Sequence, residues 1–260
     1  MMRVGSHKFK VCLLCAGLTV MALWSEVWAA PSELRVRPDV VRIGTWYDGV
    51  KLHVRANIPL GCQAVLELTG EKDQTRLMRK EQFWGMWKNG AEILEQGAPV
   101  LYLAMSTDPK LLGRSKEAVS WGYDAVARRV TFTGTARKMA NRQLFEEFLK
   151  LKESLGRYGI FPGRASVELF PERGQLVEGV FNLPTRLAPG KYHVTLSVVK
   201  DGQVVSKEMR SLKVELMGFP AAVFDLAHKH ALAYGILAAG IAILSGFLVG
   251  RIFQFMGKSD

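Results

Sequence analysis

VKLHVRANI, Val50 to Ile58, alternates apolar and polar side chains without a break. Leu52, Val54, Ala56 and Ile58 fall on one side, Lys51, His53, Arg55 and Asn57 on the other. A period of two is the pattern of a strand with one buried face. YDG before it and PLG after it are turn signals. AVLEL continues the pattern, TGEKDQ reads as the next turn, and APVLYLAMST is a further apolar run bounded by turn residues. Strands this short, at roughly ten-residue spacing, point to a mainly β fold of immunoglobulin-like sandwich type.

Between those runs lies RKEQFWGMWKNG, Arg79 to Gly90. Read as one strand closed by hairpin chemistry at KNG, it puts Phe83, Gly85 and Trp87 on one face and Trp84, Met86 and Lys88 on the other. A strand covered on one side has no use for large apolar groups on both. Core packing under a covering helix is the expectation, and an exposed aromatic patch that binds something is the alternative. Arg79, Lys80, Trp84, Trp87 and Asn89 are therefore the candidate ligand-binding residues, with the cations placed to hold an anion beside Trp84.

Two helical patterns interrupt the strands. Thr107-Asp108-Pro109 can cap and start a helix through KLLGRSKEAV. A longer helix spans about Ala136 to Leu155, with Leu144, Phe148, Leu151 and Leu155 on one stripe, a Glu146–Lys150 pair, and Gly156 as C-cap. A second β segment follows. Tyr192, Val194, Leu196 and Val198 share a face, Asp201-Gly202 makes a tight turn, and Leu212, Val214 and Leu216 resume the alternation. The pattern leaves open whether this segment is a module of its own or completes the first.

The ends set the compartment. Arg3, Lys8 and Lys10 precede an apolar run from Val11 to Trp24, and Val27-Trp28-Ala29 offers a cleavage site after Ala29. ALAYGILAAGIAILSGFLVG, Ala231 to Gly250, carries no charge and is long enough to cross ~30 Å of hydrocarbon. Arg251 and Lys258 follow it, so the positive-inside rule puts the short tail in the cytoplasm and the body outside. The reading is a bacterial inner-membrane protein with a single span and a periplasmic body. Its segments are a signal peptide at 1–29, a first β-sandwich-like module at 30–135, an amphipathic helical segment at 136–163, a second β segment at 164–217, a juxtamembrane helix at 218–230, the span at 231–250 and a tail at 251–260. Removal of the signal leaves Cys62 alone, so no disulfide forms within the mature chain. The net charge of +11 would suggest nucleic acid in a cytosolic protein. Outside the membrane, anionic headgroups or an acidic partner surface take that place, and nucleic acid is not an expected partner.

Several segments taken together resemble one bacterial family, the alpha-proteobacterial transmembrane proteins. They are DGVKLHVRANIPLGCQAVLELTG, MRKEQFWGMWKNG with PVLYLAMSTDP, RQLFEEFLKLKESLGRYGI, LPTRLAPGKYHVTLSVVKDGQVV and YGILAAG. Arg79, Lys80, Glu81, Trp87 and Asn89 match one family stretch, and Pro99, Tyr102, Ser106, Thr107 and Pro109 another. Cys62 departs from the family pattern. The resemblance implies a single-pass exported protein, and a permease of the sulfite-exporter type as partner, since such permeases are often encoded beside relatives.

Motifs for chemistry are missing from the sequence: there is no G-x-S-x-G, H-E-x-x-H, phosphate-binding glycine loop or C-x-x-C. His53 and His193 read as surface histidines far apart in the chain, and His228 and His230 stand two apart on a helix, the wrong spacing for a shared metal. No catalytic residue, metal site or cofactor is expected. Within the span, Ala238, Ala242, Gly246 and Gly250 recur every four residues, a stripe of small side chains that lets another helix approach. The expectation is a non-enzymatic accessory or assembly protein that partners an integral membrane protein or itself through the span. An anion- or metal-binding receptor module is the alternative.

Overall fold

The computed structural model describes residues 33–112, 121–134, 141–170 and 174–256, so the expected signal peptide lies outside the described residues. In chain order the strands are β1 (Leu34–Arg37), β2 (Val40–Ile43), β3 (Val50–Ile58), β4 (Gln63–Gly70), β5 (Lys72–Phe83), β6 (Met86–Pro99), β7 (Tyr102–Ser106), β8 (Thr131–Gly134), β9 (Tyr158–Phe161), β10 (Ser166–Phe170), β11 (Gly174–Leu183), β12 (Gly190–Lys200) and β13 (Gln203–Leu216). The helices are α1 (Pro109–Leu112), α2 (Gly122–Ala127), α3 (Asn141–Ser154), α4 (Phe219–Lys229) and α5 (Ala231–Met256).

The alternating stretch is β3, and its even-numbered residues from Leu52 to Ile58 are all buried. One sheet has the order β1-β3-β11-β10 and a second the order β2-β13-β12-β4-β7-β9. Their facing sides share one core, with Leu52, Val54 and Phe181 from the first sheet against Leu66, Tyr192, Leu196 and Leu212 from the second. The fold is mainly β, as the alternation requires. Because β3 pairs with β11 and β4 with β12, the late strands complete the sheets that the early ones begin. Cys62 is buried at the turn into β4.

A third sheet, β5-β6-β8, grows out of the second. The β4–β7 ladder reaches Thr69↔Tyr102, continues through Gly70 N→Leu101 O (2.9 Å) and Val100 N→Glu71 O (2.9 Å), and resumes at Lys72↔Pro99. TGEKDQ is thus extended chain rather than a turn, since both strands keep their hydrogen bonds through it. At Gly70 a Cβ would lie 2.9 Å from the Tyr192 ring, which is why the close passage takes glycine. The outcome is one long hairpin, rooted in the sandwich and leaving it as a two-stranded ribbon. Gly70 pairs with Tyr192, and Tyr192 with Leu212, near the end of β13 that leads into α4. The ribbon and the chain that leads into α4 and α5 therefore leave the sandwich at the same end.

Helix α3 covers the ribbon's base and the outer side of the second sheet. Leu144 (6 % exposed) and Phe148 (2 %) are buried, but Leu151 (42 %) and Leu155 (39 %) are not, and Lys152 (3 %) takes the buried place instead. The buried arc repeats every four residues because α3 lies between two surfaces, the ribbon on one side and the sandwich on the other. Glu146 pairs back to Arg142 at 3.5 Å. Gly156, at φ +66°, ends the helix through Gly156 N→Glu153 O (2.8 Å) and Arg157 N→Lys152 O (2.9 Å), a Schellman arrangement. Of the shorter expected helix, Pro109–Leu112 is α1 and residues 113–120 lie outside the described residues; residues 136–140, the expected start of α3, do too.

Helix α5 carries the apolar stretch Ala231–Gln254, with a mean hydropathy of 2.2 and none of it buried. It runs past the expected end at Gly250 to Met256, and its 26 residues extend about 39 Å at 1.5 Å each.

Candidate functional site at the hairpin tip

The ribbon turns at Trp84-Gly85, with Phe83 opposite Met86, Gln82 opposite Trp87, and Lys80 opposite Asn89. Trp84 has φ +50° and Gly85 φ +77°, the left-handed pair that a tight two-residue hairpin turn demands. Asn89-Gly90, the expected turn, sits instead at the bulge where the register shifts between Met78 and Lys80. Moving the turn regroups the side chains, because residues opposite one another share a face. Phe83, Met86 and Lys88 now stand together, and the Lys88 ammonium lies 4.8 Å from the Phe83 ring centre. Trp87 and Asn89 share the other face with Lys80, whose Nζ donates to Asn89 Oδ1 at 2.5 Å. Arg79 lies in β5, and its side chain is outside the described residues.

Among the described residues nothing covers the tip. Phe83 is 56 % exposed, Trp84 88 %, Met86 71 % and Trp87 68 %. The expectation that this segment packs as core under the long helix is overturned. Helix α3 reaches Leu77 and Ile93, nearer the base, and stops short of the turn. Clusters of large exposed apolar side chains on a soluble domain mark an interaction surface. The backbone adds to that signal. A bulky β-carbon residue in the left-handed region costs on the order of 1–2 kcal/mol, and asparagine or glycine would avoid it. A Trp held there at that cost points to a use for the side chain.

Firm anchorage at the base makes the tip a defined object. Glu95 (0 % exposed) accepts a hydrogen bond from Ala98 N at 2.8 Å, and Lys152 lies over the rings of Phe148 (5.1 Å) and Tyr158 (6.0 Å). Burial pushes the Glu95 carboxyl above its ordinary range, with the Ala98 bond and Lys152 pulling it back. Burial likewise lowers the Lys152 ammonium, which the Glu95 charge opposes. Tyr102 OH donates to Glu67 Oε1 (2.9 Å) and accepts from Gly122 N (2.9 Å), tying β7 to β4 and α2.

Among the described residues, clefts of about 760 Å³ beside α3 and about 480 Å³ over β3 and β11 lie away from the tip. His53 is exposed and His193 half-buried, while His228 stacks on Phe224 with ring centres 4.0 Å apart. Among the described residues no three His, Cys, Asp or Glu come together as metal ligands. Ala238, Ala242, Gly246 and Gly250 lie along α5, and a Cβ built on either glycine meets nothing within 4 Å. Sequence reasoning missed Trp46, 94 % exposed in the loop after β2, and the buried Glu95 and Lys152, whose charges act on one another.

A family model described as "Putative transmembrane protein" (Alph_Pro_TM) matches residues 33–255, and no curated protein matches the chain. The chain belongs to that family, the one its segments resemble.

Proposed function

Starting from that membership and the long apolar helix α5, we propose that the protein is a membrane-anchored accessory or assembly protein, non-catalytic, with its body in the periplasm and its tail in the cytoplasm. It engages an integral membrane partner, for which a permease of the sulfite-exporter type is the leading candidate. The observation that carries the reading is the ribbon tip, four large apolar side chains held on a strained turn with no covering element among the described residues. The span contributes a second, weaker contact through Ala238, Ala242, Gly246 and Gly250, where a partner helix can approach closely. A receptor module for an anion or metal, with Arg79, Lys80, Trp84, Trp87 and Asn89 as its pocket, asks for a concave site, and the tip is convex.

The body reads as an immunoglobulin-like sandwich. Its four-strand and six-strand sheet orders support this, as does the Tyr192 hydroxyl, which donates to Ala188 O at 2.8 Å at the entry to β12.

The test is affinity purification of the full-length protein from cells in mild detergent, beside a Trp84→Ala, Trp87→Ala variant and a Gly246→Leu, Gly250→Leu variant. Co-purification of a permease or a second copy with wild type, reduced by the tip variant, is the expected result. Equal recovery from wild type and tip variant would sink the assignment of the contact to the tip.

A further inference from the structure

The sandwich end nearest the span carries its own exposed apolar surface among the described residues, separate from the ribbon tip. β2 runs parallel to β13, with Ile43 beside Leu216, and Met217 N donates to Ile43 O at 2.8 Å. The loop that follows β2 therefore projects where β13 hands over to α4. At its crest stands Trp46, 94 % exposed. At the end of β13 and along α4, which that pairing brings to the same end of the sandwich, come Met217 (46 % exposed), Phe219 (73 %) and Phe224 (48 %). No residue of α4 is buried.

The occupant follows from continuity. α4 ends at Lys229, only His230 separates it from α5, and Tyr234 N donates to His230 O at 3.0 Å as the next helix begins. The 11 residues of α4 measure about 16 Å at 1.5 Å each, so this end of the sandwich can stand no farther than roughly that, plus the short link at Met217-Gly218, from the membrane boundary. Trp at such a depth is a residue of the interfacial aromatic belt, and Phe is typical of the apolar face of a helix lying in the interface. A short helix with exposed Phe side chains and with His228 and Lys229 in its last turn has the make-up of one lying in the headgroup layer. Lys229 pairs with Asp225 at 3.0 Å, an exposed contact that headgroup phosphates can replace.

Resting on the reading of α5 as a membrane span, we infer that the sandwich is docked on the bilayer. Trp46, Met217 and α4 sit in the headgroup region of a lipid surface, and the body is held in a fixed attitude rather than swinging from its anchor. The ribbon, which leaves the same end of the sandwich, is then presented close to the membrane plane.

Tryptophan quenching by lipid tests this directly. Full-length protein is reconstituted into vesicles of phosphatidylethanolamine and phosphatidylglycerol containing brominated phosphatidylcholine. The variants are Trp46→Phe, Phe219→Glu with Phe224→Glu, and Trp84→Phe with Trp87→Phe. Trp46 is so exposed that its replacement leaves the fold intact, which circular dichroism checks. The expected result is quenching of wild type, most of it lost in Trp46→Phe, most of it lost in the α4 variant although Trp46 is present, and a clear part kept in the ribbon variant. No quenching of wild type, or quenching lost only in the ribbon variant, overturns the docking. Flotation after a carbonate wash separates the two premises. Protein that fails to float refutes the span, whereas protein that floats without quenching through Trp46 refutes the docking alone.

Discussion

Replacing Phe148 by alanine should cost the body about 3–5 kcal/mol, far more than the same change at the half-exposed Leu151. Phe148 is 2 % exposed and meets Phe132 (centroids 5.8 Å), Phe145 (6.2 Å) and Tyr158 (5.8 Å, nearly perpendicular). Its ring hides on the order of 150–250 Å². At about 25 cal/mol per Å² that is roughly 4–6 kcal/mol, an upper bound because the unfolded chain already hides part of it. Phe148→Leu keeps most of the volume and should cost only about 1–2 kcal/mol, the share of the edge-on ring contacts. Leu151, 42 % exposed, hides much less, and its alanine variant should cost about 1 kcal/mol or less. Urea titration in mild detergent reads these differences through Trp121, which is 5 % exposed in the same cluster. With a slope of about 2 kcal/mol per M, Phe148→Ala should lower the midpoint by roughly 2 M, and Leu151→Ala by well under 1 M. Equal midpoints for the two alanine variants would refute the placement of α3.

Trp84→Asn should relieve the left-handed strain by about 1 kcal/mol, raising hydrogen-exchange protection of the distal ribbon amides roughly fivefold while partner recovery falls. Unchanged protection would remove the strain argument. Gly179→Ala should destabilise by about 1–3 kcal/mol, because the added Cβ would stand 2.8 Å from Leu66 Cδ1 and closer still to Met105 Sδ; a neutral effect in the urea titration would show that the two sheets can part there. The Glu95 carboxyl is raised by burial, so the folded chain holds that proton to higher pH than the unfolded chain does. Its contribution is complete below the ordinary carboxylate value and is lost as pH rises through the folded value. Lys152, lowered by burial, has the mirror behaviour, its contribution present above the ordinary ammonium value and lost as pH falls through the depressed one. Glu95→Gln should therefore flatten the decline in urea midpoint between acidic and neutral pH, and parallel wild-type and variant curves would refute it.

The sheets were legible where one neighbour decides the burial of a residue. In β3 a single opposing sheet covers a single face, so the period of two reads straight from the chain, whereas β12 keeps its apolar alternation although both of its faces are buried from Val194 to Val199. Asp201-Gly202 was legible for a local reason too, since its left-handed residues, φ +51° and +77°, take the turn's preferred types. The ribbon was misread because Asn89-Gly90 carries the stronger turn chemistry, yet register is set by the whole ladder. Once β4 and β7 align Thr69 with Tyr102, the ladder brings the turn to Trp84-Gly85 and leaves Asn89-Gly90 to the bulge. On α3 the stripe failed at Leu151 because two surfaces flank the helix and periodicity marks only one arc. Trp46 gave no signal at all, as its exposure depends on the distant pairing of Ile43 with Leu216.

Anchoring changes how strong the tip contact has to be. A protein confined to the membrane meets an integral partner at an effective concentration in the millimolar range, so two contacts that are each weak combine to a tight one. Four exposed side chains on a turn and a stripe of small residues on one helix fit that economy better than a broad interface would. Two such contacts on one partner should then behave multiplicatively. The Trp84→Ala, Trp87→Ala change and the Gly246→Leu, Gly250→Leu change should each lower recovery of the partner in part, and the four changes together should abolish it. The measurement is the fraction of partner retained as detergent washing is prolonged, since linked contacts differ from single ones chiefly in how slowly they let go. If the combined variant retains as much partner as the weaker of the two separate ones, only one of the surfaces touches it, and the span is an anchor that brings the tip within reach.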